Sequence, residues 1–186
     1  HRNPGNCFHT LLACDIEHFD NVTVSSTDMK KYGTDVSFVG SLYSEKNSYD
    51  DIADKLPAYM RGYVEGLCSA QKNVYGYNFI EDALTDEWVS DFVSTVGLDP
   101  LPADYETYLK GIIADTYLNC RCTELERKHT LDAISRHFHV DLYTQSDSSM
   151  LPHVKNRGIA DSERVMPKIF KCSKINLNIT LRSIKS

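Results

Sequence analysis

The chain contains no apolar run of about 18 residues, so the sequence predicts no transmembrane helix. Positive charge is also in short supply. Lys and Arg number 20 against 26 Asp and Glu, a formal net charge of −6 over 186 residues. That balance excludes a general nucleic-acid binder, which needs a basic field. Glycine is scarce as well, with nine residues and only Gly111 and Gly158 beyond residue 101. Neither G-x-G-x-x-G nor a P-loop occurs, which removes the two commonest glycine-built phosphate cradles. No G-x-S-x-G elbow is present to carry a hydrolase nucleophile. Cys120-Arg121-Cys122 has no second cysteine pair to complete a zinc site. The six cysteines are irregularly spaced, and they read as free thiols in a reducing compartment. His1 to Asn6 shows no charged region followed by an apolar one, so no signal peptide is expected and the expected location is cytoplasmic. The first residue is not Met, and the chain reads as a piece cut from a longer protein.

What is there is enough for a core: 41% hydrophobic residues, with eleven Tyr and seven Phe. Residues 1–34 are polar and mixed, and Val22–Ser26 and Lys30–Thr34 read as connections. Asp35-Val36-Ser37-Phe38-Val39-Gly40 reads as a short buried strand ending at glycine. Residues 51–73, 79–96 and 103–119 each carry apolar residues at helical spacing. Thr123 with Glu126 matches a capping box ahead of Leu131, Ile134 and Phe138, which predicts a fourth helix. Residues 51–138 thus form a helical block. Val140–Thr144 reads as a strand, His153-Val154 as a short one, Ala160–Cys172 as mostly helical around Pro167, and Ile175–Thr180 as a strictly alternating strand. Strands separated by helices imply parallel pairing and an α/β fold, in which ligands bind beyond the carboxyl ends of the strands.

Several residues near those ends can do chemistry. Gly40 would let a backbone approach a phosphate, or simply make a turn. Lys46 could reach a diphosphate as a point charge, or sit solvated on the surface. Asn156-Arg157-Gly158 combines an amide, a fork of donors and a flexible glycine. Lys174, Asn176, Asn178 and Arg182 flank or continue the last strand, and Asn176 and Asn178 would share one face, needing partners or a ligand. His137, His139 and Asp141 at period two would share a strand face and could hold a metal. Alternatively they straddle a helix end, where the dipole favours histidine. Asp15/Glu17 and Asp50-Asp51 read as helix-start or surface charges.

The strings Val140-Asp141-Leu142-Tyr143-Thr144-Gln145-Ser146-Asp147, Leu151–Gly158, Met166–Phe170 and above all Ser173–Ile184 closely resemble bacterial glycosyltransferases of the spore-maturation CgeB-like group, which carry a DUF3880 domain. Asp35–Tyr43, Arg61-Gly62-Tyr63 and Val74–Ile80 are similar to that group too, so the resemblance spans about residues 8–186. It implies the GT-B architecture, two Rossmann-like domains facing across a cleft. Residues 1–34 would be the tail of the N-terminal domain and the crossover. Residues 35–186 would be part of the C-terminal donor-binding domain, with a Rossmann-like parallel sheet and a helical insertion, truncated before a glycine-rich, acid-containing segment. It further implies transfer of a sugar from a nucleotide-sugar donor to an unknown acceptor, with no bound metal or other cofactor. The donor-binding residues would be Gly40, Ser41, Lys46, Asn156, Arg157, Gly158, Asn178, Thr180 and Arg182. No catalytic base is identifiable in these residues. The alternative is a non-catalytic α/β nucleotide-binding or protein-interaction module, with the helical block as its docking surface.

Overall fold

A computed structural model describes residues 15–98 and 108–181. Helix α1 (Ile16–Asn21) starts at Asp15, whose carboxylate accepts the His18 N–H at 2.9 Å. Helix α2 (Ser26–Tyr32) starts at a full capping box, with the Ser25 hydroxyl and Asp28 carboxylate each satisfying the other's backbone N–H. The sequence predicts Lys30–Tyr32 as part of a connection. They are instead the last turn of α2, because Ser25-x-x-Asp28 is a helix start signal immediately ahead of Met29.

Strand β1 (Thr34–Val39) follows, then the loop and helical block, β2 (Val140–Tyr143), β3 (Val154–Asn156) and β4 (Ser173–Asn176). All pairings are parallel and the order is β3-β2-β1-β4. Val36 sits opposite Val140 and Ile175, and Val140 opposite Val154. This is a Rossmann-like parallel α/β sheet, as the sequence pattern and the resemblance predict. The final strand is shorter than its alternation suggests. Leu177 and Ile179 still pack half-buried on the sheet core, which preserves the period of two, but β4 ends at Asn176. Helix α8 (Met166–Cys172) is placed between β3 and β4, with Pro167 in its first turn.

The inserted block is α3 (Ala58–Gln71), α4 (Ile80–Ala83), α5 (Asp86–Val96), α6 (Leu109–Ile113), a π-helical stretch Ala114–Asn119, and α7 (Cys120–Ser135). The single helix predicted over 79–96 is two. Leu84 and Thr85 leave helical geometry, and the Thr85 hydroxyl accepts the Trp88 N–H at 3.2 Å to start α5. Thr123 is not a cap. It lies inside α7 and its hydroxyl donates back to the Asn119 carbonyl at 2.8 Å, so the capping-box spacing is coincidental. Residues 103–107 of the predicted third helix lie outside the described residues.

The block has its own core, in which Met60, Val64, Cys68, Ile80, Phe92, Ile113 and Leu118 are fully buried. On one face of the sheet, Val36, Phe38, Val140 and Leu142 pack with Leu131 of α7. On the other, Tyr143 packs with Tyr32, Ile169 and Cys172. The described cysteines, Cys68, Cys120, Cys122 and Cys172, are free thiols. Among the described residues no helix is long and apolar enough to cross a membrane.

Candidate functional site at the strand-order reversal

The chain steps from β1 to β2 to β3 in one direction across the sheet, then returns over it to place β4 on the far side of β1. The reversal lies between β1 and β4. In open parallel sheets, ligands bind beyond the carboxyl ends of the strands at such a reversal, between the two loops that leave them. One loop is Gly40–Lys46, and the other is Leu177–Thr180.

Arg127 of α7 stands between the two loops. Its Nη1 donates to the Ser41 carbonyl at 2.6 Å, and its Nε and Nη2 donate to the Ile179 carbonyl at 3.1 and 2.6 Å. The guanidinium lies over the Tyr43 ring at 4.7 Å and near the Phe38 ring at 5.4 Å. The Lys46 ammonium lies 5.0 Å from the same Tyr43 ring. Burial pulls the Arg127 guanidinium below its usual range, because no carboxylate is close enough to compensate it fully.

Tyr43 has φ 72° and is the one non-glycine residue with positive φ among those described. That left-handed geometry costs of order 1–3 kcal/mol and persists only where the surroundings hold it. Here the Tyr43 N–H donates to Ser41 Oγ at 2.8 Å, and Ser41 Oγ donates to Glu45 Oε1 at 2.5 Å. Burial pushes the Glu45 carboxyl up, but the hydrogen bonds from Ser41 and backbone outweigh it and leave a net lowering. Leu42 N–H donates to Ser146 Oγ at 2.8 Å, and Thr144 Oγ1 donates to Ser146 at 3.0 Å, so the loops after β1 and β2 are tied together. Gly40 N–H donates to the Tyr143 carbonyl at 3.0 Å, one step past the end of β1.

The sequence-predicted site residues fall into separate places. Gly40, Ser41 and Lys46 lie in one of the two loops, and Asn178 and Thr180 in the other, both exposed. Arg182 lies outside the described residues. Asn156 and Gly158 are at the end of β3, two strands from β1 and so roughly 10 Å across the sheet. Asn156 Oδ1 accepts the Gly158 N–H at 2.9 Å in a local turn, and Gly158 takes φ 78°. Arg157 turns its side chain to the α8 face, where Nε and Nη2 both reach Asp141 Oδ2 at 2.9 Å. That hydrogen bond raises the Arg157 guanidinium above its usual range. Arg157 lines a cavity of about 460 Å³ on that face with Asp35, His139, Asp141, Lys155 and Lys174. Asn176 is satisfied within the fold, accepting from Ser37 Oγ at 2.6 Å and donating to the Phe170 carbonyl at 3.0 Å.

His137 and His139 precede β2, outside any strand, so the two histidines and Asp141 do not share a strand face. Among the described residues no group of three or more His, Cys, Asp or Glu is placed to hold a metal ion. Arg127 and Tyr43 were missed in the sequence, although the turn of α7 that carries Arg127 was legible from Leu131 and Ile134. No local motif marks Arg127; only the return of the chain after β4 gives it its partners.

No protein-family model matches the chain. A curated relative, tubulin glycylase 3C of Tetrahymena thermophila, is 26% identical over 117 aligned residues, covering 53% of this chain. The chain spans 11% of that relative's length. No solved structure matches.

Proposed function

We propose that the chain binds a nucleotide-activated sugar between the loops that follow β1 and β4 and serves glycosyl transfer from it. The observation that carries this reading is the strand order β3-β2-β1-β4 with a cation-bearing loop, Gly40–Lys46, at the reversal. Reversals of this kind accept phosphorylated nucleotides. The resemblance of Ser173–Ile184 to CgeB-like transferases supplies the reaction class. The chain's own part in such a reaction is electrostatic. Lys46 would stabilise the leaving diphosphate and orient the donor. Asn178 and Thr180 would touch the donor from the β4 side. Asn156, Arg157 and Gly158, being across the sheet on β3, would have to act on a distal part of the ligand.

The test is a panel of UDP-, GDP-, dTDP- and CMP-sugars against the 186-residue protein, read by thermal shift and by ligand-observed NMR. A melting rise with one nucleotide class, abolished by Lys46→Ala, supports the reading. No rise and no NMR contact with any of them refutes it.

The similarity to a tubulin glycylase favours a second reading, an enzyme acting as a glycylase on tubulin. Incorporation of labelled glycine into tubulin, without any nucleotide-sugar response, would establish that reading instead.

A further inference from the structure

We infer that the cavity on the α8 face of the sheet binds a free amino acid, its ammonium on Asp141, its carboxylate on Lys155 and an apolar side chain against Met29 and Cys172. The site is separate from the loops proposed to hold a nucleotide-sugar. It opens at the amino ends of β1, β2 and β4, beside Thr34, His139 and Lys174, whereas those loops leave the carboxyl ends of β1 and β4.

Three observations carry it. First, the space exists. Its volume of about 460 Å³ lies within the roughly 300–1,000 Å³ usual for small-molecule pockets. Second, a buried carboxylate on its lining is half-used. Asp141 is only 5% exposed. Arg157 Nε and Nη2 both go to its Oδ2, whereas a guanidinium fork ordinarily meets a carboxylate nitrogen for oxygen. Oδ1 has no hydrogen-bond partner among the described residues. An ionised carboxylate accepts on both oxygens, and a buried acceptor left without a donor costs stability. The cavity gives that donor its room. Third, the charges around the cavity do not close on themselves. Asp35 pairs with Lys174 at 2.7 Å, and Asp141 with Arg157 at 2.9 Å. Lys155 is left over. It stands opposite Asp141 in the register of β2 and β3, about 4.8 Å away at the backbone, and on the same face as Arg157 two residues on. Among the described residues its ammonium forms no ion pair.

A ligand that completes both groups carries a cationic donor and an anionic acceptor close together. An α-amino acid does so across one carbon. Its ammonium supplies the charge-assisted donor that Asp141 Oδ1 lacks, and its carboxylate takes Lys155. Being net neutral, it leaves the two existing ion pairs in place. A metal ion fits less well, since among the described residues no group of three or more His, Cys, Asp or Glu is placed to hold one. Met29 and Cys172, the latter a buried free thiol that behaves as a small hydrophobe, line the same space and favour an apolar side chain.

The experiment titrates the 186-residue protein with single L-amino acids at millimolar concentration and follows its backbone amides by heteronuclear NMR. Leucine and methionine should shift the amides of Asp141, Lys155 and Cys172 saturably, and glutamate and lysine should bind more weakly. Lys155→Met keeps the stem and removes the charge at an exposed position, and should weaken leucine binding about tenfold or more. The ammonium is tested on the ligand, because Asp141→Asn would also strip Arg157 of its partner. N-acetyl-leucine and leucine amide, each lacking one of the two charges, should lose about as much. Leucine binding that survives in Lys155→Met, or N-acetyl-leucine binding as tightly as leucine, overturns the assignment. So does the absence of saturable shifts with every amino acid. The nucleotide-sugar panel reads the loops at the other end of β1, so the two readings fail separately.

Discussion

Replacing Glu124 with glutamine tests what holds the helical block to the loop beyond β1. The Glu124 side chain is only 3% exposed. It accepts from Lys128 Nζ at 2.6 Å, Asn47 Nδ2 at 2.7 Å and Arg121 Nη1 at 3.2 Å. Asn47 belongs to the loop after β1, and Arg121 reaches on to Glu65 of α3 and to Asp50. Glutamine keeps the shape but removes the charge, and turns one acceptor into a donor facing donors. A hydrogen bond to a charged group contributes about 1.5–3 kcal/mol, and breaking a buried ionic cluster from one side costs more, so a loss of about 3 kcal/mol is expected. For a chain of this size that is roughly a 6–12 °C fall in Tm. The pH dependence has a definite sign. Burial pushes the Glu124 carboxyl up, but Lys128, Asn47 and Arg121 more than reverse this, leaving it below the usual glutamate range. Its stabilisation is therefore complete above the ordinary glutamate value of about 4.3 and is lost as pH falls through the lower folded value. Urea unfolding of both proteins from pH 7 to pH 3 should show a gap that is constant at neutral pH and closes below about pH 4. A gap under about 0.5 kcal/mol at pH 7, the scale of an ordinary surface substitution, or one that persists unchanged to pH 3, refutes the assignment.

Tyr143→Phe should stabilise the protein by about 1 kcal/mol, because the Tyr143 hydroxyl is buried without a hydrogen-bond partner among the described residues. Chemical denaturation at neutral pH checks this. Burial, with Asp141 adding to it, pushes that phenol up to about 12, so absorbance titration of native protein should lose one late-ionising tyrosine in the same variant. Leu131→Ala, at a site with 0% exposure under the sheet, should cost about 2–5 kcal/mol in the same denaturation assay. Gly33→Ala should destabilise by about 1–3 kcal/mol, since its Cβ would collide with the Met29 carbonyl oxygen. Gly62→Ala, with nothing within 4 Å of the added carbon on helix α3, should be stabilising by up to about 1 kcal/mol. Equal effects of the two glycine substitutions on Tm would contradict the packing argument.

The layers of the fold were readable because they depend on short-range pattern. Val36 and Phe38, or Val140 and Leu142, alternate with polar neighbours, and Met60, Val64 and Cys68 recur at helical spacing. Boundaries were less readable where a side chain competes with the pattern. Thr85 splits a helix by capping its second half, and Thr123 imitates a cap while bonding backwards. The candidate site was legible in both loops, through Gly40, Ser41 and Lys46 on one side and Asn178 and Thr180 on the other, but not between them. Gly40, Ser41 and Lys46 follow a strand directly, so sequence proximity announces them. Arg127 is 86 residues from Ser41 and 52 from Ile179, and its setting exists only once β4 has returned beside β1. The resemblance implies that Arg157 faces a ligand. The pleat sends its side chain to the opposite layer, to Asp141.

Helix α7 belongs to both hydrophobic cores. Through Cys122, two residues into it, and Leu118 just before, it is part of the helical block, and through Leu131 it is part of the sheet. Neither half can therefore rotate or melt as an independent body without withdrawing a side chain from the other. The insertion is thus a fastened beam rather than a hinged lid. The helix that carries Arg127 is the same one that pins the insertion to the sheet.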